Sequence, residues 1–64
     1  MLEEYDIVKA IKPLNDLVPE GTLGSVLIVF DSNPIEYEVE FVNKAGESIA
    51  VLTVSQNDLV KQIC

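Results

Sequence analysis

The segment Glu36–Phe41 alternates strictly between charged and apolar side chains, and this pattern restricts the fold of the chain more than any other. Successive side chains of a strand point to opposite faces, so the apolar residues share one face and the glutamates the other. One buried and one wet face are typical of an antiparallel sheet. The sequence therefore predicts an all-β domain with an acidic row, Glu36, Glu38 and Glu40, on its outside.

A second strand is predicted at Val26–Phe30, which is apolar throughout and rich in β-branched residues. Gly21 and Gly24 give the backbone the freedom needed for the preceding turn. The run Asp31–Pro34 is typical of the turn that follows, because Asp and Asn side chains bond their own backbone and proline fixes φ. We interpret Val26–Phe30 as the central strand of a small five-stranded barrel.

Two segments precede this strand. Tyr5–Ile11 predicts a first strand with Ile7 and Ile11 on the face away from Asp6, and a short helix over residues 2–11 is the alternative. Residues 12–22 form a loop of about ten residues, longer than most connections. Its apolar residues are predicted to fold back over the core: Leu14, Leu17 and Val18.

The last third of the chain predicts one hairpin and one turn. Gly46 is expected to take the positive φ of a hairpin with a bulge, and residues 48–54 then form a fourth strand that is apolar on both faces. Ser55–Asp58 has the serine and acid spacing of a helix start. We expect one helical turn there, followed over Leu59–Ile63 by a short fifth strand or, alternatively, by two more helical turns.

Length and charge limit the possible functions. With 64 residues the chain has room for one domain, residues 1–64, whose stability is marginal unless it associates. Eleven carboxylates face four lysines and no arginine, which argues against nucleic-acid binding. The acidity favours solubility or, alternatively, a basic protein partner or mimicry of a phosphate backbone.

The residue types disfavour catalysis, metal binding and membrane insertion. The chain has no histidine to activate its serines, so we predict no catalytic residue, no metal site, no cofactor and no enzyme activity. No apolar run approaches the ~20 residues of a membrane span. The acidic start Met1–Glu4 lacks the basic residues of a signal peptide, and a single cysteine suits a reducing cytoplasm, so a cytoplasmic location is expected. Cys64 receives no role.

The apolar strands offer more surface than one small barrel can bury. One face of each fills the core, and the other needs a cover. We predict that Leu27 and Val29 lie beside Ile49 and Val51 in an outer patch that, together with the acidic row, binds a partner. The alternative is that the apolar loop residues cover this patch internally.

Four segments together resemble a family of short bacterial proteins that is catalogued only as a domain of unknown function. They are Leu2–Val8, Pro19–Val26, Tyr37–Phe41 and Ile49–Val54. The resemblance implies an SH3-like barrel and no established activity. Its members tend to be encoded beside other small uncharacterised proteins, which would suit an antitoxin or immunity role.

The functional hypothesis is a small adaptor or antitoxin-like module that docks a protein through an apolar sheet face flanked by acidic residues. One alternative is a structural homo-oligomer whose self-association covers the apolar face. Another is a ligand-binding barrel, which would need an aromatic-lined pocket. The chain has only four aromatic residues that could line such a pocket, namely Tyr5, Phe30, Tyr37 and Phe41. Most of them are expected in the core.

Overall fold

The computed structural model describes residues 2–62, which form one antiparallel sheet of five strands. The strands are β1 (Ile7–Ala10), β2 (Leu23–Phe30), β3 (Glu36–Val42), β4 (Ser48–Ser55) and β5 (Leu59–Lys61), with a 3₁₀ turn at Gln56–Asp58. Their order across the sheet is β4-β3-β2-β1-β5, so β2 is central. The prediction of an all-β fold with a helical turn before the last strand is confirmed.

The sheet is open over the described residues. The strand β4 pairs with β3 alone, and β5 pairs with β1 alone. Closure into an SH3-like barrel therefore stays a prediction. The end of the predicted fifth strand at Ile63, and Cys64, lie outside the described residues.

The core lies on one face of the sheet. Tyr37, Val39 and Phe41 are fully buried there, as the alternation of β3 predicts. The β1–β2 loop completes this core, because Val18 is fully buried and Leu14 packs against the cluster. The remaining buried hydrophobic residues are Leu2, Val8, Ala10, Val26, Val54 and Leu59.

The first strand is shorter than predicted, and the helix alternative is wrong. It is Val8 and Ala10 that face the core, whereas Ile7 and Ile11 are exposed. The pairing explains this, because Val8 lies opposite Gly24, which in turn lies opposite the buried Phe41. Directly opposed residues share a sheet face, so the register with β2 fixes which side of β1 is buried.

The 3₁₀ turn begins with the predicted cap. The Ser55 hydroxyl accepts a hydrogen bond from the Asn57 N–H at 3.1 Å, and the Asp58 carboxylate accepts one from the Ser55 N–H at 3.0 Å. Asp58 also lies 2.8 Å from the Lys12 ammonium. This ion pair connects the β1–β2 loop to the turn before β5.

We expect acid to weaken this connection. The hydrogen bond from Lys12 holds the pKa of Asp58 below its ordinary value of 3.8; burial acts in the opposite direction, and the Ser55 N–H lowers it further. The carboxylate form is thus favoured by folding, so its contribution to the free energy of unfolding is present well above pH 3.8 and is lost as the pH falls through the lower folded-state value. Lys12→Gln should reduce this acid-dependent loss of unfolding free energy by less than about 1 kcal/mol, because the lysine is mostly exposed.

Urea denaturation at a series of pH values measures the effect. Lys44→Gln removes the same charge from the β3–β4 turn and serves as the control. If the unfolding free energy falls equally with decreasing pH in the wild type and in both variants, the role of Lys12 is contradicted.

Candidate protein-binding face

The outer face, meaning the sheet face opposite the core, carries the acidic row at its centre. Glu36, Glu38 and Glu40 alternate with the buried residues of β3 and are themselves half-buried. Side chains two positions apart on a strand are about 7 Å apart, so each glutamate has a like-charged neighbour on the same face. The row is therefore a partly desolvated line of negative charge.

Apolar side chains flank the acidic row on both neighbouring strands. In β2, Phe30 lies opposite Glu36 and Ile28 lies opposite Glu38. In β4, Val51 lies opposite Glu40. We call Ile28, Phe30 and Val51 the apolar flanks; their exposed fractions are 42%, 39% and 50%.

The predicted partner-binding residues divide between the two faces. The acidic row and Val51 share the outer face, whereas Val29 and Ile49 pack against the core and Leu27 is half-buried. Two register shifts cause the difference. Pairing between β2 and β3 passes from Val26 directly to Ile28, and pairing between β3 and β4 skips Ile49.

Each skipped residue is a β-bulge, and a bulge changes which side chains follow on each face. Beyond the bulge at Leu27, Ile28 and Phe30 point outward and Val29 points inward, opposite Tyr37. The outer patch of four aliphatic residues is therefore corrected to the apolar flanks. The sequence prediction missed Phe30, because nothing in its apolar run marks the position of the bulge.

The lysines of the described residues do not neutralise the acidic row. Lys12 pairs with Asp58, and Lys61 lies 3.6 Å from Asp6. Lys9 lies on β1 opposite Leu23, with β2 between it and β3. Both ion pairs found over residues 2–62 thus use other carboxylates, and neither involves the acidic row.

An apolar groove of about 530 Å³ lies at the end of the sheet. The exposed Leu17 of the β1–β2 loop lines it together with Leu23 and Val42, which pair with each other. The loop covers the core with Leu14 and Val18. It leaves the apolar flanks uncovered, since their exposed fractions are between 39% and 50%.

Tyr5 is a second exposed aromatic residue that the pattern did not single out. Its side chain is 76% exposed and its φ is +69°, in the left-handed region that non-glycine residues rarely adopt. The Tyr5 N–H donates to the Val26 carbonyl oxygen at 2.6 Å, which holds this conformation beside the central strand.

Within residues 2–62, no three histidine, cysteine, aspartate or glutamate side chains are grouped as a metal ion would require. The same residues contain no helix with the length and apolar character needed to cross a membrane.

Comparison with known protein families gives a match over most of the chain. A family described as a domain of unknown function (DUF4926) matches residues 4–61, which is nearly the whole chain. No curated protein and no solved structure matches. The resemblance noted in the sequence is therefore confirmed at the level of an uncharacterised family.

Proposed function

We propose that this chain, which belongs to the family described as a domain of unknown function (DUF4926), is a non-enzymatic module that binds a basic protein on its outer face. The observation that carries the proposal is the register of β2, β3 and β4, which sets the acidic row between the apolar flanks. A role as an adaptor or an antitoxin-type protein in the cytoplasm is consistent with such a surface.

The negative charge of the outer face favours a partner that carries basic side chains. Three half-buried carboxylates repel one another, and the ion pairs within residues 2–62 lie elsewhere. Lysine or arginine side chains from a partner would relieve this repulsion and steer the encounter at long range. We therefore expect a partner with basic groups spaced at about 7 Å, matching the repeat of the row.

The apolar flanks supply the second part of the recognition. Phe30 is the largest of them, and aromatic residues that become buried at the centre of an interface dominate binding energy. A basic side chain that reaches the row also lays its aliphatic stem along such apolar neighbours. The partner surface should thus alternate basic and aliphatic groups.

The same charges argue against a second copy on this face. Two acidic rows facing each other would place like charges in a desolvated contact, which is unfavourable. The alternative of a homo-oligomer that covers the outer face is therefore less well supported than a basic partner.

The test compares two variants with the same charge change. The partner is first isolated from the native host by affinity purification and then titrated against Glu38→Gln/Glu40→Gln and against Asp16→Asn/Glu47→Gln, whose acids are exposed outside the outer face. We expect the first variant to bind at least about tenfold more weakly, because two charge-assisted contacts are lost. The control should bind like the wild type, and higher salt should weaken all three complexes.

Equal affinities of the two double variants would overturn the proposal, because net charge alone would then explain binding. A partner that binds Phe30→Ser as tightly as the wild type would exclude the apolar flanks from the interface.

A further inference from the structure

The two outer edges of the sheet differ in how they are protected against pairing. The edge strand β5 has three residues and carries Lys61, and both shortness and lysine discourage contact with another strand. The other edge strand, β4, has eight residues with no charge, proline or glycine among them. Apart from the bulge at Ile49, β4 therefore lacks the protections that β5 has.

The free edge of β4 is also open to hydrogen bonding. Over the described residues β4 pairs with β3 alone, and no backbone hydrogen bond outside that ladder involves Ser48–Val54. Every second residue of an edge strand directs its N–H and C=O away from the sheet. These groups are a template for one more antiparallel strand.

We propose that this strand is β4 of a second copy, so that two chains join edge to edge around a two-fold axis. Such a contact is isologous, meaning that both copies use the same surface. The absence of charge on β4 makes the surface compatible with itself in a chain whose net charge is −7. A basic partner strand would find no carboxylate on β4 to pair with.

The position of the acidic rows is also compatible with a second copy on the edge of β4. In the paired sheet the two rows would be separated by both β4 strands, a distance of about 14 Å for three inter-strand spacings. This exceeds the Debye length of about 8 Å at physiological ionic strength. The rows therefore do not oppose edge pairing in ordinary buffers, although they would oppose a contact through the outer faces.

The alternation of β4 agrees with a continuous sheet. Ala50 and Leu52 are half-buried and pack against the core, whereas Val51 and Thr53 are exposed. Opposed residues in an antiparallel pair share a face, so Leu52 would meet core-side residues of the second copy and lose its remaining exposure. We place the two-fold axis at Leu52, near the middle of β4, which sets Thr53 diagonal to the second Thr53, within about 8 Å.

The proximity of the two Thr53 side chains allows a decisive charge test. At a two-fold contact Thr53→Lys places two lysines together and Thr53→Glu places two glutamates together, so each variant alone should sediment as a monomer. An equimolar mixture of the two should recover a dimer, because lysine then meets glutamate. Ala45→Lys, which adds the same charge in the exposed β3–β4 turn, should associate like the wild type.

Salt and hydrogen exchange complete the experiment. We expect the wild-type dimer to strengthen as NaCl rises from about 20 mM to about 500 mM, since screening removes repulsion between two acidic copies. This is the opposite of the salt effect expected for a basic partner on the outer face. Amide exchange in β4 of the unmodified chain should slow with protein concentration, and this readout does not depend on any variant folding.

A wild-type chain that stays monomeric at every concentration would overturn the proposal. So would a dimer that both Thr53 variants preserve, a mixture of the variants that fails to associate, or protection that rises outside β4 only.

Discussion

Gly24→Ala is expected to lower the free energy of unfolding by about 3 kcal/mol, at the upper end of the cost of overpacking a core. A methyl carbon added at Gly24 would lie 2.8 Å from the Glu40 carbonyl oxygen and 2.8 Å from a methyl group of Val39. Both distances are far shorter than van der Waals contact. The Glu40 oxygen belongs to the backbone of β3, so relief requires β2 and β3 to move apart.

The expected loss is large compared with the unfolding free energy of the whole domain, so it is easy to detect. A domain of this size is stable by roughly 3–10 kcal/mol, so the substitution removes a large part of the whole. Urea denaturation followed by circular dichroism measures it. The control is Gly21→Asn, because Gly21 has a φ of +90° with open space around it and asparagine tolerates that region.

An unchanged urea midpoint for Gly24→Ala would show that β2 and β3 separate at little cost. A loss in Gly21→Asn as large as that in Gly24→Ala would show that backbone conformation, and not close approach, governs both glycines.

The strands with the strongest local patterns were predicted correctly. The alternation in β3 identified its buried residues because a period of two fixes the face of every side chain once one face is apolar. The 3₁₀ turn was predictable because Ser55 and Asp58 form its cap through contacts only three residues apart. Both features depend on short-range chemistry that is visible in the sequence.

The outward side chains of β2 could not be predicted because a bulge leaves no mark in an apolar run. In Val26–Phe30 every residue is apolar, so the pattern contains no polar position that would reveal which side chains face water. The bulge at Leu27 then exchanges the two faces for the residues that follow. Regular alternation from Val26 predicts Val29 outside, whereas the structure places Phe30 there.

The sequence around β1 also does not determine which side of that strand is buried. Ile7 and Val8 are equally apolar, and the choice between them depends on pairing with Gly24, which is 16 positions away from Val8 in the sequence. The close approach of Gly24 to β3 is likewise a long-range contact. A glycine that lacks a positive φ has no local signature of its function.

Tyr37→Phe is expected to cost about 2 kcal/mol of unfolding free energy, mainly because it leaves a buried amide without a partner. The Tyr37 hydroxyl accepts a hydrogen bond from the Leu2 N–H at 3.1 Å and donates one to the Gln56 side-chain carbonyl oxygen at 3.1 Å. Gln56 is exposed and can bond water instead, whereas Leu2 is 8% exposed. The hydroxyl therefore holds the N-terminal segment onto the sheet.

The matched control is Tyr5→Phe, which removes the only other tyrosine hydroxyl from a side chain in solvent and should change stability by less than about 0.5 kcal/mol. Hydrogen exchange identifies the group responsible, because in Tyr37→Phe the Leu2 amide should lose protection while the β3–β4 ladder keeps it. Equal stabilities of the two variants would mean that water replaces the hydroxyl at Leu2. In that case the packing of the Leu2 side chain and the hydrogen bond from the Tyr5 N–H to the Val26 carbonyl oxygen would hold the N-terminal segment.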